Sequence, residues 1–270
     1  MKPNFIVLLF FIFQAAFSQQ YILLDELEKD FEIQKYTLNT QKMYRFDGEI
    51  HIYNIEAFGR LVLISEFPDL EQKSSVKTIS EEELQSKKES LQSIISQIDT
   101  TAEKKAFNKF YLVKRIGNQY YAANYCLFEI FVLFDEEKLH LSGRNIINTK
   151  QKMVSYQDVK KNYGDSFPME NTWWGERYST ISNLLKYIYL SEITYKNNEN
   201  IYRFWTFDDW HIRKGYNYHR GIDRFAYIKG KGIVGGSYDF YFDRIDSDSA
   251  IKRTVRYDIM WARELFPERQ

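Results

Sequence analysis

The sequence predicts an α+β fold: antiparallel sheets built from hairpins, with about three segregated amphipathic helices. Three observations support this. Tyrosine and phenylalanine each occur 21 times, and aromatics make up 17% of the chain; such residues suit pleated, half-buried strands. Turn dipeptides repeatedly separate apolar runs, as hairpins require. Helical periodicity appears in only a few blocks, and regular βαβ alternation is absent, which favours segregated helices over a parallel sheet.

In chain order, the first 18 residues predict a secretory leader. Lys2 gives a positive start, Phe5-Ile-Val-Leu-Leu-Phe-Phe-Ile-Phe13 an apolar core, and Ala16-Phe17-Ser18 a small-x-small cleavage site. The apolar run is far shorter than the ~20 residues that span a bilayer, so no permanent membrane anchor is expected. Residues 19–39 mix apolar and charged positions without a clear period. Residues 44–46 and 49–53 predict a hairpin about Asp47-Gly48, and a third strand runs over 59–67 to Pro68. The spacing predicts a helix over 78–107, with Ser80 and Glu83 as a capping box and Leu84, Leu91, Ile95 and Ile98 on one face. A second hairpin follows, over 110–116 and 120–134 about Gly117-Asn118. Leu139 and Leu141 alternate with Lys138 and His140 as a short strand.

The polar, turn-rich stretch 148–170 suggests an internal boundary. It separates an N-terminal region, 19–150, from a C-terminal region, 151–270; the two are also compatible with one continuous domain. Trp174, Tyr178, Ile181, Leu185 and Ile188 predict a helix over 173–190, with Asn171 as its cap. Strands are expected at 193–196, 201–207, 224–229 and 237–243. A closing helix is expected over 250–266, with Pro267 as its stop.

Composition narrows the function. The charges balance at 37 basic against 37 acidic residues, without the basic excess that neutralising phosphates requires, so no nucleic-acid partner is expected. Removing 18 of the 270 residues leaves 252, enough for a sizeable core without staples. Cys126 is the only cysteine, so no disulfide forms within the chain; its setting, Tyr125-Cys-Leu-Phe128, predicts a buried, inert thiol.

Gly230-Lys-Gly232-Ile-Val-Gly235 matches the dinucleotide fingerprint in letters, yet a strand-like alternation follows it where the fingerprint needs a helix. A glycine-rich bend is the better reading, and no cofactor is expected. Asp243, Asp246 and Asp248 lack the glycine and terminal glutamate of a calcium loop. No zinc spacing appears among Asp208, Asp209, His211 and His219, and no metal is expected. His51 and His140 alternate with apolar neighbours and are expected to face solvent.

Site-capable residues concentrate in 203–224. In an extended segment Asp209, His211 and Arg213 share one face, so that Asp209 orients a basic histidine and Arg220 stabilises an anion. His211, His219, Asp209 and Arg220 are therefore the candidate catalytic set. Trp205, Trp210, Tyr216 and Tyr218 are the candidate ligand-binding set, since aromatic faces with polar tips suit amphipathic ligands such as sugars. The sequence leaves open whether the protein is an enzyme. The leading expectation is an exported, water-soluble protein of the cell envelope or exterior with a binding or structural role. It would be periplasmic or secreted after cleavage near Ser18-Gln19, and its partner would be a glycan, peptide or protein. Two alternatives stand beside it: an extracytoplasmic hydrolase of glycan or peptide using the 203–224 set, and an inhibitor or immunity-type module that would present a broad apolar patch.

Overall fold

The computed structural model describes residues 19–71, 73–101, 104–137, 145–155, 188–206, 221–242 and 258–269, with the single positions 158 and 161. These residues form mostly antiparallel β-sheets with a few helices, so the architecture is broadly α+β and rich in strand. The central sheet holds β2 (Ile33–Asn39), β3 (Glu49–Ala57), β4 (Arg60–Phe67), β9 (Tyr125–Phe134) and β10 (Ile146–Asn148) in the order β10-β9-β4-β3-β2, with β6 (Lys105–Phe107) also pairing β9. Every pair in it is antiparallel except β9–β10.

One face of this sheet packs against a four-stranded sheet, β1-β7-β8-β5 (Gln20–Leu23, Phe110–Ile116, Gln119–Ala123, Val76–Ile79), and its helices. That core gathers Tyr53, Ile55, Val62, Ile64, Phe128 and Ile130 beneath Leu84, Ile94, Phe110 and Leu112. The other face packs against a five-stranded sheet in the order β11 to β15 (Ile188–Lys196, Glu199–Thr206, Arg224–Ile228, Gly232–Gly236, Met260–Trp261). Here Leu61, Leu63, Phe67, Leu127 and Phe131 meet Phe204, Phe225, Val234 and Tyr238. This second core thus draws on residues from both sides of the polar stretch 148–170. The alternation of strand side chains lets the middle sheet supply both cores from one set of strands.

Several local expectations need correction. The start of the described chain, without a clear period in sequence, is β1, α1 (Leu24–Asp30) and β2. β2 and β3 do form a hairpin, but residues 44–46 are not its first strand. Gln41–Tyr44 is a helical turn, α2, and the Thr40 hydroxyl ties the loop by donating to the Phe46 and Gly48 carbonyls at 2.7 and 2.8 Å. The helix expected over 78–107 is two helices, α3 (Glu81–Lys87) and α4 (Leu91–Asp99), followed by strand β6. Lys88 turns extended, and Ser90 starts the second helix by accepting from the Ser93 N–H at 3.2 Å. Ser80 caps α3 as expected, accepting from Glu83 N–H at 3.1 Å. The reciprocal half of the capping box is missing, because the Glu83 carboxylate takes the Tyr21 hydroxyl (2.7 Å) and Lys87 instead. Leu91, Ile94, Ile95 and Ile98 of α4 are buried, each contributing ~1.5–3 kcal/mol of transfer free energy.

In the C-terminal sheet, β11 and β12 turn through Asn197 and Asn198, both at positive φ (54° and 63°), which is the geometry of a tight two-residue hairpin. Residues 188–190, expected as the end of the 173–190 helix, instead open β11, and Met260-Trp261 is a short strand inside the expected closing helix. The strand expected at 237–243 lies earlier, at β14, and Asp239–Phe242 forms a helical turn, α5. The expected helix positions 173–187 and 250–257, Asp243, Asp246, Asp248 and the 139–141 strand lie outside the described residues.

The fingerprint-like glycines build the β13–β14 hairpin and its bend. At Gly232 (φ +76°) a Cβ would stand 2.5 Å from Asn54 Oδ1. The glycine is needed because the buried Asn54 amide docks there. Its Oδ1 accepts the Ile233 N–H at 2.7 Å and its Nδ2 donates to the Ile233 carbonyl at 2.9 Å, so a side chain completes a strand-like pairing between sheets. The outer edges join as well: Leu38 of β2 bridges Ala262, and the Arg263 N–H donates to the Thr37 carbonyl at 3.0 Å.

Candidate functional site

On β3 and β4 the apolar row facing the helical side ends in polar residues. His51 continues the face of Tyr53 and Ile55, while Glu66 continues that of Val62 and Ile64; the two are register partners across the strands. Lys114 extends the inward row of Phe110 and Leu112 on β7. Where the two sheets part, these side chains form the wall of a cleft of ≈550 Å³, whose rim comes from 46–49, 67–69, Lys73, Ser75, Val76 and Ala123.

Glu66 is the deepest charge in the cleft, at 4% exposure. Its carboxylate accepts the Tyr53 hydroxyl at 3.0 Å and pairs with the ammonium of Lys114, whose side chain is 32% exposed. The same ammonium lies 5.1 Å from the centre of the Tyr53 ring. Burial, reinforced by the Glu66 carboxylate, pushes the Tyr53 phenol far above its ordinary range, so it acts only as a hydroxyl donor. His51 is half-buried, with Nδ1 3.5 Å from Thr37 Oγ1. Burial lowers its pKa and the Lys114 charge lowers it further, against weaker opposing pulls from Glu66, Glu49 and Glu264. The imidazole is therefore neutral at pH 7, offering one donor and one acceptor. Lys114, neutral His51 and the Glu49 and Asp69 carboxylates thus present donors and acceptors together, beside the Phe46 ring.

The central sheet carries a second buried acid on its opposite face. Glu129 is 3% exposed and accepts the Ile222 N–H at 3.2 and 3.1 Å through its two oxygens. Gly221 lies so close that a Cβ would stand 1.8 Å from Oε1. Nearby, Arg224 donates to Asp239 (3.0 Å) and to the Ser237 hydroxyl (3.1 Å), while the Tyr44 hydroxyl donates to Asp239 at 2.9 Å and accepts the Tyr238 N–H at 2.8 Å. This network is interior and binds the 40–48 loop to the C-terminal sheet.

Among the residues singled out in sequence, His211, His219, Asp209, Arg220, Trp210, Tyr216 and Tyr218 lie outside the described residues, as do Asp208, Arg213 and His140. Trp205 is described, and it is a core residue at 2% exposure. Its indole N–H donates to the Val154 carbonyl at 2.8 Å, and its ring stacks on Tyr189 with centroids 4.4 Å apart. Within 203–224 the described residues are 203–206 and 221–224, and Trp205 is the one candidate among them. Cys126 is fully buried, with its thiol pushed up by burial. His51, expected to be solvated, is half-buried against the cleft.

Sequence reasoning missed Glu66 and Glu129, although a signal existed. Each is a lone charge inside an otherwise apolar strand, 61–67 and 125–134, and a carboxylate there has to be paired or shifted in pKa. Among the described residues no helix is long and apolar enough to cross a membrane, and no group of three or more His, Cys, Asp or Glu side chains is placed to hold a metal ion. No family model matches the chain, and no curated protein or solved structure is significantly similar to it.

Proposed function

We propose that this chain is an exported protein of the cell envelope or exterior, and that it binds a polar ligand, glycan or peptide, in the cleft of His51, Glu66 and Lys114. One observation carries the reading. A carboxylate 4% exposed is held with a lysine and a tyrosine at the wall of an open cleft, and not inside a sealed core. Burying a charge pair is costly, and hydrophobic residues of similar size would stabilise the fold at least as well. A cleft lined by donors and acceptors with an aromatic ring at its rim suits hydroxyl- or amide-rich ligands. Export rests on the leader-like residues 1–18.

The test is a melting-temperature screen of glycans and peptides against the wild-type chain and Glu66→Gln. A true ligand raises the melting temperature by mass action. The reading predicts at least one ligand whose protection is lost in Glu66→Gln, and it is abandoned if every protecting ligand protects both chains equally.

A second reading, hydrolysis of a glycan or peptide, is favoured by one feature of the cleft. His51 is held neutral beside a lysine, as a general base requires. Turnover of any ligand found in the screen, abolished in His51→Ala with binding retained, would favour it over simple binding.

A further inference from the structure

Cleavage near Ser18-Gln19 would make Gln19 the first residue of the mature chain. Its side chain does not hang free. The amide oxygen accepts from the Lys77 ammonium and lies 3.4 Å from the Tyr21 hydroxyl, whose proton goes to Glu83 at 2.7 Å, while the amide nitrogen donates to the Tyr111 hydroxyl at 3.2 Å. Lys77 is itself fixed, 4.3 Å from the Tyr111 ring centre and 5.5 Å from that of Tyr21. The backbone just beyond is pinned by the Gln20 N–H donating to the Lys109 carbonyl at 3.0 Å and by the parallel pairing of β1 with β7.

An N-terminal glutamine carries a nucleophile and an electrophile in one residue. Here the electrophile is polarised by a cation aimed at its oxygen. Resting on the export reading above, we propose that Gln19 is a modification site: after leader removal its α-amine closes on its own side-chain amide, assisted by Lys77, to leave a pyroglutamyl end. In this step the α-nitrogen attacks Cδ and the new N–Cδ bond forms. Charge accumulates on Oε1, where Lys77 stabilises it. The Cδ–Nε2 bond then breaks, and ammonia leaves carrying one proton from the amine. No other reactant is consumed. The product has no α-ammonium charge and no free amine for an aminopeptidase.

The experiment uses the chain beginning at Gln19, released from a fusion by a protease that leaves this residue first. Loss of one ammonia is followed by intact mass for the folded wild type, the same chain in urea, and folded Lys77→Met. Removing one donor to a developing oxyanion costs a factor of 10²–10³ in a closed site, so in this half-open one the folded wild type is expected to cyclise ~10-fold faster than both controls. Equal rates in all three, or slower cyclisation in the folded chain, overturn the proposal. If Lys77→Met fails to fold by circular dichroism, the folded-against-urea comparison decides alone. Peptide mapping of the chain recovered from an exporting host separates the premises. A retained leader removes the export reading, whereas a cut elsewhere leaves that reading standing and overturns the proposal, because Gln19 is then not the first residue.

Discussion

Glu66 and Glu129 sit on neighbouring strands of one sheet, each almost wholly buried, yet they face opposite cores and are treated in opposite ways. Glu66 ends its row where two sheets diverge, so a lysine and a tyrosine reach it and water reaches the lysine. Glu129 lies between Leu127 and Phe131 in a closed core, where it accepts a backbone N–H and abuts a glycine. Its strand-register partner on β6, Lys105, opposes the effect of burial only in part, and the carboxyl is pushed up to about 7, with Asp223 adding to the rise. Position along the strand thus decides what a buried acid can do. At the end of the row it joins a site that a ligand can enter; in the middle it stores a titration.

The largest effect expected from this contrast is on the pH dependence of stability. The folded chain keeps a proton on Glu129 from its ordinary 4.5 up to about 7, whereas the unfolded chain releases it near 4.5. Stability from this group is full below 4.5 and falls as pH rises through that window, by about 3 kcal/mol in all. Urea unfolding between pH 4.5 and 7.5 should show that decline in the wild type and a flatter profile in Glu129→Gln. An unchanged slope in the variant would place the titration elsewhere. Next in size, Lys114→Met leaves Glu66 without its cation. The loss should be about 2 kcal/mol at pH 7, less than for a sealed pair because Lys114 is partly in water. A double variant with Glu66→Gln should recover part of it, and additivity in that cycle would break the pairing.

Smaller changes sharpen the contrast. Ser80→Ala removes the acceptor for Glu83 N–H at the start of α3 and should cost ~1 kcal/mol without altering either pH profile. Smallest is a shift in one titration. His51 should titrate below the ordinary 6.5 in wild type, and its pKa should rise in Lys114→Met, since the lysine charge lowers it and Glu66 raises it. A proton NMR titration of the His51 ring reads this directly. A fall in the variant would contradict the cleft's electrostatics.

The strands were the most legible part of the chain. Gly117-Asn118 announced its hairpin because a tight turn leaves few residue choices. α4 was legible from its single apolar face. The break at 88–90 was not, because Ser90 resembles an ordinary polar position of the surrounding helix until its hydroxyl is seen capping a new one. Ser237-Tyr-Asp-Phe-Tyr-Phe242 alternates like a strand. Its aromatics instead pack around Phe67 and Phe107 from a helical turn, and tertiary packing overrode the local period. The cleft was hidden for a different reason. His51 and Glu66 lie on the two strands of one hairpin, but Lys114 comes from another sheet, and only the register of β3 with β4 and the packing of the two sheets bring the three together.

The most direct measurement is a ligand titration watched at the histidine ring resonances. The chain has four, at 51, 140, 211 and 219, so each can be assigned by single substitution. With any ligand that raises the melting temperature, the account predicts a saturable shift at His51 that tracks the protection. Shifts confined to His211 and His219, with His51 silent at saturation, would contradict it and return the site to the 203–224 segment.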